Sequence, residues 1–166
     1  MTRRYTMRES ADVGAQAARD IEKWLRTRPK TLSVRNVEAE AEYQRQDIDL
    51  VVTTTWGVYT VEIKGDRWHQ TGNFFFETSS NQERGTPGCF WLTAADYLFY
   101  YFVEPRWLYI LPVPATRLWF EDRLDQFRER ATTTAAGRDR YYTTVGRLVP
   151  VETLMAEVPE AVFIQL

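Results

Sequence analysis

The chain has 166 residues, enough for one domain with a sizeable core, and its 44% hydrophobic and 14% aromatic content excludes a disordered chain. One cysteine, Cys89, and one histidine, His69, exclude a disulfide framework and a zinc site built from Cys and His. A net charge of −2 excludes a uniformly basic nucleic-acid coat, and no apolar run approaches the about 18 residues of a membrane-spanning helix.

Ser10 is a candidate cap for a first helix over residues 11–28, with Ala17, Ile21, Trp24 and Leu25 as its buried stripe and Pro29 after its end. Residues 31–44 begin a sheet through Leu32, Val34 and Val37. Two strands follow over 47–54 and 58–64, rich in β-branched residues, with Trp56-Gly57 in the short connection of a hairpin. Asn73–Thr78 reads as a further strand, and the Gly- and Pro-containing stretch Ser79–Gly88 as a loop. A helix is expected from Thr93 to Val103, an apolar strand over Arg106–Val113, and a helix over Thr116–Ala131 with Phe120, Leu124, Phe127 and Ala131 on one face. Residues 132–142 read as a polar loop, 143–149 as a late strand and 151–157 as a short helix. The order predicts an α/β fold with a mixed sheet flanked by helices, in a single domain over 1–166 with a core at about 10–113 and an extension over 114–166.

Within the hairpin, Asp49 precedes Glu62-Ile63-Lys64 by thirteen positions. Side chains two apart on a strand share a face, so Glu62 and Lys64 point one way while Val61 and Ile63 point the other. Two carboxylates and an ammonium on an otherwise apolar hairpin are costly unless they bind something, and a hard divalent ion with a polarised water accounts for them. The chain has 18 Arg and only 3 Lys, yet position 64 is Lys, a compact and tunable charge where Arg is a fixed planar fork. Asp47 shares a face with Asp49; Asp49 is preferred because Leu50-Val51-Val52 directly after it continues the buried strand.

Charge is unevenly spread. Residues 1–35 carry nine Lys or Arg against four acids, +5; residues 36–83 carry three against nine, −6; residues 84–166 carry nine against ten, −1. An acidic middle bearing the motif, beside a basic N-terminal segment, suits a metal-dependent enzyme acting on a polyanion. Met1–Arg8 is basic without the apolar segment of a signal peptide, so a cytoplasmic protein is expected, phage-encoded or otherwise.

These residues resemble the PD-(D/E)XK nuclease superfamily: Asp49 and Glu62-x-Lys64 stand on successive strands after an N-terminal helix, and the element order over residues 10–113 is similar to the superfamily's αβββαβ core. Ile48 occupies the place of the motif's Pro. The resemblance implies a restriction-endonuclease-like core and a Mg²⁺- or Mn²⁺-dependent deoxyribonuclease. Asp49, Glu62 and the Ile63 carbonyl would hold the metal, Lys64 would position or activate the attacking water, and Glu22 on the first helix would supply a further acid. Spacing and chain size look like archaeal-type and phage Holliday junction resolvases, which implies a homodimer acting on branched DNA. A RecB-like or Cas4-like exonuclease is the alternative enzyme, against which stands the lack of the Cys set of an iron–sulfur cluster; a catalytically silent DNA-binding module is the alternative outside enzymes.

Around the motif, Arg67 and Trp68 are candidates for DNA contact, and Ser79, Ser80 and Asn81 for hydrogen bonds to phosphate. Glu77 is a candidate pocket acid, with an exposed strand end the favoured reading, and His69, which as the only histidine invites a general-base role, is expected on the surface. The run Tyr97–Phe102 is expected in the core or on a dimer surface, and the aromatic surplus of residues 90–120 offers an apolar face for a second copy.

Overall fold

The computed structural model describes residues 4–135 and 141–166, with the side chains of residues 4–8 outside the description. The long helix α1 (Met7–Arg26) leads into β2 (Thr31–Asn36) after a short first strand β1 (Arg4–Thr6). A one-turn helix α2 (Ala41–Gln44) precedes β3 (Leu50–Thr54) and β4 (Gly57–Asp66). Strands β5 (Asn73–Asn81) and β6 (Thr86–Pro87), the one-turn helix α3 (Cys89–Leu92), and strands β7 (Tyr97–Phe102) and β8 (Trp107–Pro112) follow. The rest comprises α4 (Val113–Glu121), β9 (Arg128–Ala135), β10 (Tyr141–Pro150), α5 (Val151–Glu157) and β11 (Val162–Gln165).

The strands form two sheets, β11-β8-β7-β4-β3-β2 and β1-β9-β10-β5-β6. In the first, β2, β3 and β4 are an antiparallel meander, and β7 lies parallel to β4. The fold is thus α/β with a mixed sheet. One face of this sheet carries Leu50, Val52, Val61, Phe99, Tyr101 and Leu108, which pack on Ala17, Ile21 and Leu25 of α1. The helix settles closely because Gly65 has no side chain: a Cβ there would come within 2.9 Å of the Ala17 Cβ and of the Val13 carbonyl oxygen. The other face carries Leu98, Tyr100, Phe102, Tyr109 and Leu111, packed against Phe74 and Phe76 of the second sheet and against Phe120 of α4 and Leu154 of α5. No helix among the described residues is long and apolar enough to cross a membrane.

Five expectations are corrected. The helix expected over Thr93–Val103 is instead a turn followed by β7. Five consecutive residues of β7, Leu98–Phe102, are buried because the strand has packed layers on both faces, and a strand buried on both sides loses the alternation that marks strands. The helix expected over Thr116–Ala131 stops at Glu121. Phe120, Leu124 and Phe127 still meet in one cluster, but by way of α4, a 3₁₀ turn at Leu124–Gln126 and the entry to β9. The loop expected over 132–142 is largely strand, β9 to Ala135 and β10 from Tyr141; residues 136–140 lie outside the described residues. Most aromatics of residues 90–120 are core: Phe90, Phe99, Tyr100, Tyr101, Phe102, Tyr109, Trp119 and Phe120 are buried and Trp91, Tyr97 and Trp107 half-buried, so the run is not the exposed apolar face expected for a second copy. Helix α1 begins before Ser10, which is an exposed residue of its first turns rather than its cap.

Candidate functional site

The site forms where β4 outruns β3. Pairing of the two strands ends at Leu50 opposite Val61, so beyond that point the edge of β4 away from β7 has no strand beside it among the described residues. Asp49 closes the gap: its N–H donates to the Val61 carbonyl at 2.9 Å, and its Oδ2 accepts the Ile63 N–H at 2.7 Å. A carboxylate therefore stands where a strand carbonyl would have been. The Ile63 carbonyl lies on the same uncovered edge, because the N–H and C=O of one strand residue face the same neighbour.

Alternation on β4 turns Glu62, Lys64 and Asp66 away from α1, toward the second sheet, beside Leu98, Tyr100 and Phe102 of β7. Glu62 thereby meets Asp49 within hydrogen-bond reach, Glu62 donating. Burial, then the neighbouring Asp49 and Asp47, push the Glu62 carboxyl up to about 10. Burial raises Asp49 to about 6, although the Ile63 N–H pulls it back. Near neutral pH the pair holds one proton; the Lys64 ammonium draws Glu62 down but does not offset its burial and the neighbouring carboxylates.

Lys64 forms an ion pair with Glu77 of β5. Burial opposes the ammonium, but Glu77, the Cys89 thiol and Asp66 outweigh it, and the pKa of Lys64 is raised. Lys64 is therefore a fixed positive charge and hydrogen-bond donor, not a base. Glu77, expected at an exposed strand end, is instead only 16% exposed and faces the motif. The period of two explains this: Phe74 and Phe76 are buried in the core, so Phe75 and Glu77 take the opposite face. Cys89 stands with its Sγ 4.0 Å from Glu77 Oε2, and burial followed by Glu77 raises its thiol. Asp47, also raised by burial and then by Glu77, is held on a left-handed turn (φ 48°), its carbonyl accepting from the Thr93 hydroxyl at 2.8 Å. Arg117 fixes that segment in turn by donating to the Phe90 and Thr93 carbonyls. The buried Tyr100 ties the sheets together: its hydroxyl donates to Asp66 Oδ2 at 2.5 Å and accepts the Phe75 N–H at 3.0 Å.

Over this floor opens a cleft of about 610 Å³, with Glu62 to Trp68 and the α1 residues Ser10, Val13 and Gly14 on one side. Residues of β5, β9 and β10 form the other.

The structure gathers Asp49, Glu62 and Lys64 as expected, and sets Arg67 and Trp68 on the cleft. Arg67 donates to the Glu9 carbonyl at 3.0 Å, and the Trp68 N–H to Asp66 Oδ1 at 2.8 Å. It does not bring in Glu22, which accepts from Asn36 Nδ2 at 2.8 Å and pairs with Arg26 at 3.5 Å. Glu38, in the turn after β2, is the acid that raises Asp49 from that side. Ser79, Ser80 and Asn81 extend β5 rather than forming a loop. Their side chains serve the turn to β6: Ser79 donates to the Thr86 carbonyl, Ser80 to the Pro87 carbonyl, and Asn81 accepts the Arg84 N–H. Of the three, Ser80 lines the cleft. His69 sits on a 3₁₀ turn with its ring edge-on to Trp107 at 5.7 Å, away from the cleft lining. Sequence reasoning favoured the surface for Glu77, and it missed Cys89 and the outer face of β9 and β10. The alternation in Arg130-x-Thr132-x-Thr134 and Tyr142-x-Thr144 is the signal that marks the latter.

Among the described residues no three His, Cys, Asp or Glu side chains stand together as a preformed metal cage. Two adjoining carboxylates, Asp49 and Glu62, and the Ile63 carbonyl edge are the groups that could hold an ion, few enough to suit Mg²⁺, which keeps several of its waters. The chain matches no protein-family model, no curated protein and no solved structure.

Proposed function

We propose that the chain is a metal-dependent deoxyribonuclease, a structure-selective endonuclease with a restriction-endonuclease-like core. The observation that carries this reading is the Asp49–Glu62 carboxyl pair, sharing a proton on the uncovered edge of β4, with the Lys64 ammonium two residues along the same face. The helix, the antiparallel meander β2–β3–β4 and the parallel strand β7 support it. In place of a long crossover helix, the connection from β4 to β7 contributes strands to the second sheet.

Asp49, Glu62 and the Ile63 carbonyl are the groups that would hold Mg²⁺ or Mn²⁺, which supplies charge to polarise a phosphodiester and its attacking water. The chain's own residues do the rest. Asp49 is oriented by the Ile63 N–H, which holds its carboxylate beside Glu62. Glu77 holds the Lys64 Nζ, which offers its remaining N–H donors to a phosphate oxygen or a water. Lys64 keeps its proton, so it stabilises charge that develops on phosphate rather than accepting a proton.

Selectivity for branched DNA, with two copies of the chain placing opposed sites on a four-way junction, completes the proposal. It is tested by cleavage in Mg²⁺ or Mn²⁺ of a panel comprising a four-way junction, a flap, a linear duplex and a single strand. Paired nicks in the junction and little action on linear duplex are expected; a protein that degrades only from ends favours the exonuclease alternative.

A further inference from the structure

The far wall of the cleft is a surface that the hydrolytic groups do not use. Along β9 and β10, alternation sets Arg130, Thr132 and Thr134 beside Tyr142 and Thr144 on the cleft side. Phe75 of β5 turns into the same cleft while its neighbours Phe74 and Phe76 are buried in the core. Gly146 makes room for that ring: a Cβ at position 146 would stand 2.7 Å from two of the Phe75 ring carbons. Arg130 pairs in register with Gly146 and is half-buried, and its side chain makes no hydrogen bond or ion pair among the described residues.

An aromatic face, an unpartnered guanidinium and a row of hydroxyls are the combination by which proteins hold single-stranded nucleic acid: bases stack on the ring while phosphates meet the cation. The geometry agrees with one strand and not two. A cleft of about 610 Å³ between two sheets is of small-molecule size, roughly 300–1,000 Å³, room for a few nucleotides but not for a duplex. Charge runs in the same sense. The carboxylates gather at the floor, whereas Arg130 stands on the opposite wall, so a phosphate held there lies outside the acidic cluster.

We infer that the cleft receives an unpaired DNA strand, with a base against Phe75 and a backbone phosphate on Arg130. The inference rests on the nuclease reading and names its substrate at the site: a single-stranded stretch of the kind exposed at a branch point. Branch selectivity then follows from strand access and needs no base-specific contact.

The test is fluorescence anisotropy of the full chain with a labelled oligothymidylate and with a blunt duplex of equal length, in EDTA so that neither is cut. The single strand is expected to bind at least tenfold more tightly. Arg130→Gln and Phe75→Leu are each expected to weaken single-strand binding about tenfold, the scale of one stacked base or one lost charged contact, and to leave duplex binding as it was. Equal affinity for both oligonucleotides in a protein that cleaves duplex overturns the inference and leaves the nuclease reading in place. Single-strand binding by Arg130→Gln at the wild-type level also overturns it, since that variant alters only a half-exposed side chain. Absence of binding to either oligonucleotide, together with absence of cleavage, overturns both.

Discussion

Replacing Glu62 by Gln tests the electrostatics of the site without any assumption about substrate. In the folded protein the Glu62 carboxyl is raised from 4.5 to about 10 by burial and by Asp49 and Asp47. The unfolded chain releases that proton near pH 4.5, so between the two values the folded state holds one proton more. The sign follows: stability is fully present below pH 4.5 and is lost as pH rises toward 10, at about 1.4 kcal/mol per pH unit. From pH 5 to pH 7 this amounts to about 3 kcal/mol, a large part of the roughly 5–15 kcal/mol by which domains are stable. Asp49, raised to about 6, adds a loss of the same sign that is complete near pH 6. Gln is a neutral isostere of the protonated acid, so Glu62→Gln keeps the shape and removes the Glu62 contribution. Urea unfolding followed by tryptophan fluorescence at pH 5, 6 and 7 in EDTA measures the difference. The wild type is expected to lose about 3 kcal/mol more than the variant over that range. Parallel profiles for the two proteins would refute the account of the Glu62 environment.

Gly65→Val drives a side chain against Ala17 and the Val13 carbonyl of α1 and is expected to cost about 1–3 kcal/mol, read as a lowered Tm; an unchanged Tm would show that helix and strand do not meet there. Lys64→Arg keeps the charge but puts a planar fork where a compact ammonium meets Glu77, and cleavage is expected to fall severely. A fully active variant would show that Lys64 serves only as a point charge. Light scattering is expected to give a two-fold homodimer that places paired nicks in a four-way junction, because one small domain carries one site. A monomer that cuts junction and linear duplex at equal rates removes the resolvase reading and leaves the nuclease.

The parts of the fold that were legible in the sequence are those with one buried face. Helix α1 showed its stripe, and the meander β2–β4 and the short helix α5 lay close to their expected positions because each alternates between core and solvent. Where an element is buried on both faces, as β7 is, periodicity disappears and a helix and a strand read alike. The second sheet was hidden for a related reason. Thr132, Thr134 and Tyr142 face a cleft and leave no apolar alternation there, so the end of β9 and the start of β10 resembled a loop. At the site, Asp49, Glu62 and Lys64 were legible because the strand period fixed their common face. Glu77 and Cys89 were not, since they reach Lys64 only through the packing of the second sheet and the segment leading from it against the first. Glu22 was misjudged because a position at the edge of a helix stripe does not say which strand residue lies opposite; here it is Asn36.

The most direct test of the central claim is DNA cleavage by wild type, Asp49→Asn and Glu62→Gln side by side, with Mg²⁺ and with EDTA. The account predicts cleavage by the wild type in Mg²⁺ alone, and none by either variant, each of which loses a ligand charge while keeping its shape. Both variants are expected to bind the same DNA as tightly as the wild type or more tightly, because negative charge beside phosphate is reduced. Cleavage by either variant at the wild-type rate in Mg²⁺, or wild-type cleavage undiminished in EDTA, would contradict it.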